Sequence, residues 1–180
     1  MKRLVLFVVL GLILLSVIGC SGGGGCQRSP GTVPQQPTSV LVPQSQNLVN
    51  GMITVPTSSY YDQSFSVTSS MQNARIIGSF EASGGLANDI SVIIMDDMSF
   101  INWANSYQVQ KVMDAVAFLN WAKEHPIQNC YHSGRVMVGN IDVSLSSGKY
   151  HLVFENLFGD RASKNVITRV DLNWSELRYQ

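Results

Sequence analysis

The side chains best suited to chemistry in this chain are few and scattered. His125, Cys130 and His132 fall within eight consecutive positions, and a set of two histidines and a cysteine can ligate zinc or copper. No fourth ligand accompanies them, and Pro126 stands among them, so they read as ordinary residues of an irregular loop. Asp89, Asp96 and Asp97 offer the oxygens that calcium requires. If residues 89–96 form one strand rising about 3.3 Å per residue, however, Asp89 and Asp96 stand more than about 20 Å apart and cannot share an ion. No serine occupies a Gly-x-Ser-x-Gly elbow and no phosphate-cradling glycine loop opens a helix. Paired acids for glycoside cleavage depend on a separation in space that sequence does not give, but most carboxylates here stand singly. The expectation is therefore no catalytic residue, no metal and no cofactor, with a hydrolase the third and last reading.

The remaining reactive surface is aromatic. Phe100, Trp103, Tyr107, Phe118, Trp121 and Tyr131 concentrate between Met98 and His132. Aromatics on helices usually pack into a core, and exposed ones dominate binding hot spots, so these six form the candidate binding surface with core packing as the competing role. The same region echoes itself. Phe100-Ile101-Asn102-Trp103-Ala104 recurs eighteen residues later as Phe118-Leu119-Asn120-Trp121-Ala122, and Asp96 and Gln110 match Asp114 and Gln128. A local duplication that lengthened a loop explains the echo, with one copy expected beside the strands and the other free to become helical.

The elements that hold these residues follow from periodicity. Phe65 and Val67 alternate with Ser64, Ser66 and Thr68, and Ile76, Gly78, Phe80 and Ala82 with Ile77, Ser79 and Glu81, which predicts strands with one buried face. Residues 89–95 are apolar on both faces and predict a central strand. Ile141, Val143 and Leu145, then Tyr150, Leu152 and Phe154, flank Ser146-Ser147-Gly148-Lys149 and predict a hairpin, with Gly148 supplying a positive φ. Val166, Thr168, Val170, Leu172 and Trp174 mark the last strand. Seven to eight short strands without a βαβ rhythm predict an antiparallel β-sandwich. Val109, Val112, Met113, Val116 and Leu119 recur at helical spacing over residues 106–124, so a helix inserted at about residues 98–132 is expected to cap an open end of the sandwich.

Before the strands the composition changes. Lys2 and Arg3 precede a fifteen-residue, largely apolar stretch, Leu4 to Ile18, and Val17-Ile18-Gly19-Cys20 closes the run. This resembles a bacterial lipoprotein precursor, with residues 1–19 a signal peptide and Cys20 the acylated residue. The resemblance implies an envelope location anchored by lipid; Ser21 after the cysteine favours the outer membrane, facing the periplasm, if the source is diderm. Residues 21–50 are rich in Gly, Pro, Ser, Thr and Gln and predict a flexible linker, leaving 51–180 as the folded domain. Loss of Lys2 and Arg3 leaves ten basic against twelve acidic residues, a formal charge of minus two. No basic block with interleaved aromatics exists, which argues against a nucleic-acid partner. Cys26 and Cys130 could pair after export or stay as free thiols.

Three stretches carry a second likeness: Ile77-Gly78-Ser79-Phe80 with Gly84-Gly85 and Asn88-Asp89-Ile90; Gly139-Asn140-Ile141-Asp142-Val143; and Gly148-Lys149-Tyr150-His151-Leu152-Val153-Phe154-Glu155-Asn156 with Ser163-Lys164-Asn165-Val166. Together they resemble the Golgi-dynamics (GOLD) type of β-sandwich and its bacterial exported relatives. Val153 stands where secretory-pathway members place a cysteine, and the insertion at 98–132 departs from the pattern. Asn156 and Asp89 are expected to brace loops rather than bind a ligand. The resemblance implies a non-catalytic module binding a protein, glycan or lipid partner at the envelope, with a structural or assembly accessory as the alternative.

Overall fold

The computed structural model describes residues 37–85, 87–110, 113–157 and 162–180. The signal segment, Cys20, the glycine run and Cys26 lie outside the described residues. Among those described, eight strands form two four-stranded antiparallel sheets, accompanied by two helices. The strands are β1 (Ser39–Val55), β2 (Ser59–Val67), β3 (Gln72–Ser83), β4 (Ile90–Asp96), β5 (Asn129–Val136), β6 (Val138–Ser144), β7 (Gly148–Asn156) and β8 (Lys164–Tyr179). The first sheet runs β1-β8-β3-β6 and the second β2-β7-β4-β5. Helices α1 (Asp97–Gln110) and α2 (Ala115–Glu124) join β4 to β5.

Alternation sets the core. Val166, Val170 and Leu172 of β8 and Ile76 and Phe80 of β3 are buried against Phe65, Val92, Ile94, Leu152 and Phe154 of the second sheet. Phe80 meets Phe154 across the sandwich edge to face, with ring centroids 6.3 Å apart, the arrangement that aromatic quadrupoles favour. β4 is central as expected, lying between β7 and β5. Val92 and Ile94 enter the main core, whereas Ile93 and Met95 point the other way, into a second cluster with Val153.

Several expectations are corrected. The domain does not begin at residue 51, because β1 starts at Ser39 and pairs with β8 from Ser39↔Tyr179 to Val55↔Lys164. Its first half is largely exposed, Val40 and Leu41 included, so no burial pattern announces it; backbone pairing holds it. Pro43 is tolerated there because β1 is an edge strand, with only β8 beside it. β6 and β7 are not a hairpin. β6 pairs with β3 and β7 with β2 and β4, so residues 145–147 cross between sheets. Periodicity states which face is buried, and Ile141, Tyr150 and Leu152 reach one core under either pairing. Gly148 does not have a positive φ; an added Cβ there would lie 3.2 Å from the Tyr150 ring. The stretch after Pro126, expected to be an irregular loop, contains β5, whose partner is β4.

The inserted region also differs. Two helices replace the single one expected over 106–124, and α1 packs over the outer face of the second sheet rather than across an open end. The reason is β4 itself: a strand apolar on both faces needs a cover on each.

Candidate functional site

Both copies of the internal echo are helical, and both start on the same device. The Asp96 carboxylate accepts the Ser99 backbone N–H at 2.7 Å, and that of Asp114 accepts the Ala117 N–H at 2.9 Å. Aspartate three residues ahead satisfies a donor left over at a helix start. The copies then diverge in environment. In α1, Trp103 is 6 % exposed and packs with Ile93, Met95 and Val153, while Phe100 and Ala104 flank it. The buried Asn102 donates to the Pro126 carbonyl, and the Ser99 hydroxyl accepts the Gln128 N–H. In α2, Phe118 and Trp121 are only half-buried and Asn120 is exposed. The expectation that one copy stays beside the strands is met, but as a helix.

The six candidate aromatics therefore do not form one surface. Trp103 is core, and Phe100 lies half-buried over the same cluster. Tyr131 packs against the main core and its hydroxyl donates to the Asn140 carbonyl at 2.9 Å. Phe118 and Trp121 stack on each other with centroids 6.1 Å apart, and Trp121 stacks on His125 at 4.4 Å. The side chain of Tyr107 lies outside the described residues. More open to solvent are aliphatic groups of the same region: Val116 is 70 %, Met98 66 % and Leu119 60 % exposed.

Sequence reasoning missed His151. Its ring is stacked on Phe100, with centroids 3.8 Å apart and an interplanar angle of 4°. Nδ1 is 2.9 Å from an Asp62 carboxylate oxygen on β2, and Nε2 is 3.2 Å from Asp97 at the start of α1. Tyr60 closes the group edge-on to Trp103 at 4.9 Å. Asp62 and His151 are 89 residues apart in the chain, so no local motif could connect them. A polar notch of about 310 Å³ opens alongside, lined in part by Ser64, Ser66, Asp97 and Lys149. Carboxylates thus lie within hydrogen-bond distance of both ring nitrogens. The cluster latches α1 to the sheet.

A second polar group gathers the motif residues. Lys164 is fully buried; its Nζ donates to the Gly84 carbonyl at 2.8 Å and lies 3.5 Å from Asp89 Oδ1. Arg135 meets the other Asp89 oxygen at 2.7 Å. The Asn88 side chain accepts the Gly84 N–H, from a backbone with φ 51°. Asn156 donates to the carbonyls of Val55, Pro56 and Ala162 at 3.0–3.2 Å. Asp89 and Asn156 thus brace backbone and charge, as their positions at strand ends suggested.

His125, Cys130 and His132 do not converge. His125 Nδ1 is 2.8 Å from the Trp121 carbonyl, and His132 Nδ1 accepts the Gly134 N–H. Among the described residues no group of three His, Cys, Asp or Glu side chains could hold a metal ion. Cys130 is free and exposed. Partial burial first, and then the Asp96 carboxylate, push its thiol up. A raised thiol leaves less thiolate at a given pH. Alkylation of Cys130 by iodoacetamide at pH 7.5 is expected to run slower than that of glutathione, and to climb about tenfold per pH unit beyond the range where an ordinary thiol levels off. A rate profile overlying that of glutathione would contradict this assignment.

No protein-family model matches the chain, and no curated protein matches it.

Proposed function

We propose that this chain is a non-catalytic binding module, anchored by acylated Cys20 to a bacterial envelope membrane, that engages a protein, glycan or lipid partner through its helical insertion. One observation carries the reading: α2 repeats the sequence that seats α1 on the sheet, yet Asn120 is exposed and Trp121 half-buried where Asn102 and Trp103 of α1 are buried, and Val116 and Leu119, like Met98 and Ile101 of α1, stand exposed. Apolar groups so placed on a folded domain favour a contact surface. The two polar clusters support the same reading, since each ties its ionisable groups to structural partners. Outer-membrane placement facing the periplasm belongs to this proposal for a diderm source.

The test joins location to binding. Wild-type protein is expected in the membrane fraction of lysed cells, and a Cys20→Ser variant in the soluble fraction. Immobilised Cys20→Ser protein exposed to detergent-solubilised envelope should retain a stoichiometric protein, glycan or lipid, and Leu119→Asp should abolish that retention. Retention unchanged by Leu119→Asp would remove the insertion from the contact, and soluble wild-type protein would remove the anchor.

A further inference from the structure

α2 carries apolar side chains at seven of its ten positions, Ala115-Val116-Ala117-Phe118-Leu119 and Trp121-Ala122. A helix apolar nearly all round is ordinarily enclosed. Here one side, with Ala117, Phe118, Trp121 and Ala122, is half-buried, while Val116 and Leu119 stand one turn apart facing solvent. On α1, Met98 and Ile101 are likewise exposed while Trp103 packs on the sheet.

We infer that the occupant of this outer face is the lipid bilayer surface, with Val116 and Leu119 entering the head-group layer. The inference rests on the reading of Cys20 as a lipid anchor. Two physical arguments select lipid. Seventeen peptide units join Cys20 to Pro37, so whatever their conformation the chain between them reaches no more than about 60 Å. Confinement within that radius of the membrane amounts to an effective concentration in the millimolar range, at which a few aliphatic side chains suffice to hold a helix on lipid. Chemistry points the same way. Three of the four exposed groups, Ile101, Val116 and Leu119, are branched aliphatics and neither helix carries an arginine, whereas protein interfaces are enriched in arginine, aromatics and Met. Of the nearby acids, Asp96 caps α1, Asp97 is engaged by His151 and Asp114 caps α2, and the exposed Glu124 stands at the last position of α2, beside a lysine of opposite charge. Lys123 lies one turn beyond Leu119 on the exposed side, where an ammonium can reach phosphate while its stem lies along apolar surface.

The acylated full-length protein, reconstituted in phosphatidylcholine vesicles with or without brominated acyl chains, tests this. Bromine in the acyl region should quench Trp121, lowering total tryptophan emission by up to about a third if the three tryptophans of the chain emit equally, and a Val116→Asp/Leu119→Asp variant should lose most of that quenching. Both proteins should float with the vesicles, because the anchor is untouched, and melt alike, because both positions are exposed. Equal quenching in the two proteins, or none in a wild type that floats, overturns the inference. If the wild type does not float, the anchor reading has failed on its own. The same quenching is then measured with vesicles at millimolar lipid, where loss in the double variant upholds the lipid surface and absence in the wild type rejects it.

Discussion

Lys164→Ala is expected to destabilise the domain by about 3–5 kcal/mol, the range found when one member of a buried ion pair is removed. Lys164 is fully buried. Its ammonium serves the Gly84 carbonyl and faces Asp89, which is itself only 13 % exposed at the side chain. Truncation leaves that carboxylate to Arg135 alone of its two observed cationic partners, and it opens a void where three methylenes and the ammonium lay. For a domain of this size the loss corresponds to a fall in Tm of roughly 10–15 °C. Lys164→Met combined with Asp89→Asn keeps the volume and removes both charges, so it should recover much of the loss, because a buried pair replaced as a unit costs little. Thermal unfolding of the two variants decides the matter. A Tm within experimental error of wild type for Lys164→Ala would show that the charge carries no structural weight.

Trp103→Ala is the second large effect, at about 3–5 kcal/mol for truncation of a buried tryptophan. The indole fills the gap between α1 and the outward side chains Ile93, Met95 and Val153, and it meets Tyr60 edge to face. Its removal unseats the cover from a strand that is apolar on both faces, so the exposed sheet should also bind a hydrophobic dye. Trp121→Ala, at the matching position of the second copy, is expected to cost well under half as much, since Trp121 is half-buried. Urea denaturation of both variants gives the comparison. Equal losses would mean that the two copies are seated alike and would withdraw the distinction on which the binding reading depends.

Much of this architecture was legible because burial writes a period into the chain. Val166, Thr168, Val170 and Leu172 are buried on alternate positions of β8, and the unbroken run Ile90 to Met95 is buried on both faces of β4. β1 escaped notice because its first half is held by backbone pairing to β8, and the backbone of every residue looks the same to a pattern of apolar side chains. The false hairpin at residues 145–147 has a related cause. Alternation tells which way a side chain points, and the neighbouring strand is chosen by packing between sheets.

By itself, then, the sequence determined an all-β domain with a buried central strand, a helical insertion carrying an internal echo, and an N-terminal segment resembling a lipoprotein leader. It did so because these features depend on local composition and spacing. Only the tertiary structure decided that Asn102 and Trp103 are buried while their counterparts Asn120 and Trp121 are exposed and half-buried, since it is α1 that is seated on the outer face of the second sheet. It likewise decided that Asp62, Asp97 and His151 meet, and that Gly84, Asp89, Arg135 and Lys164 close one polar cluster. Such groups come from distant parts of the chain, and they are joined only when two sheets bury a common core and bring their strand ends together.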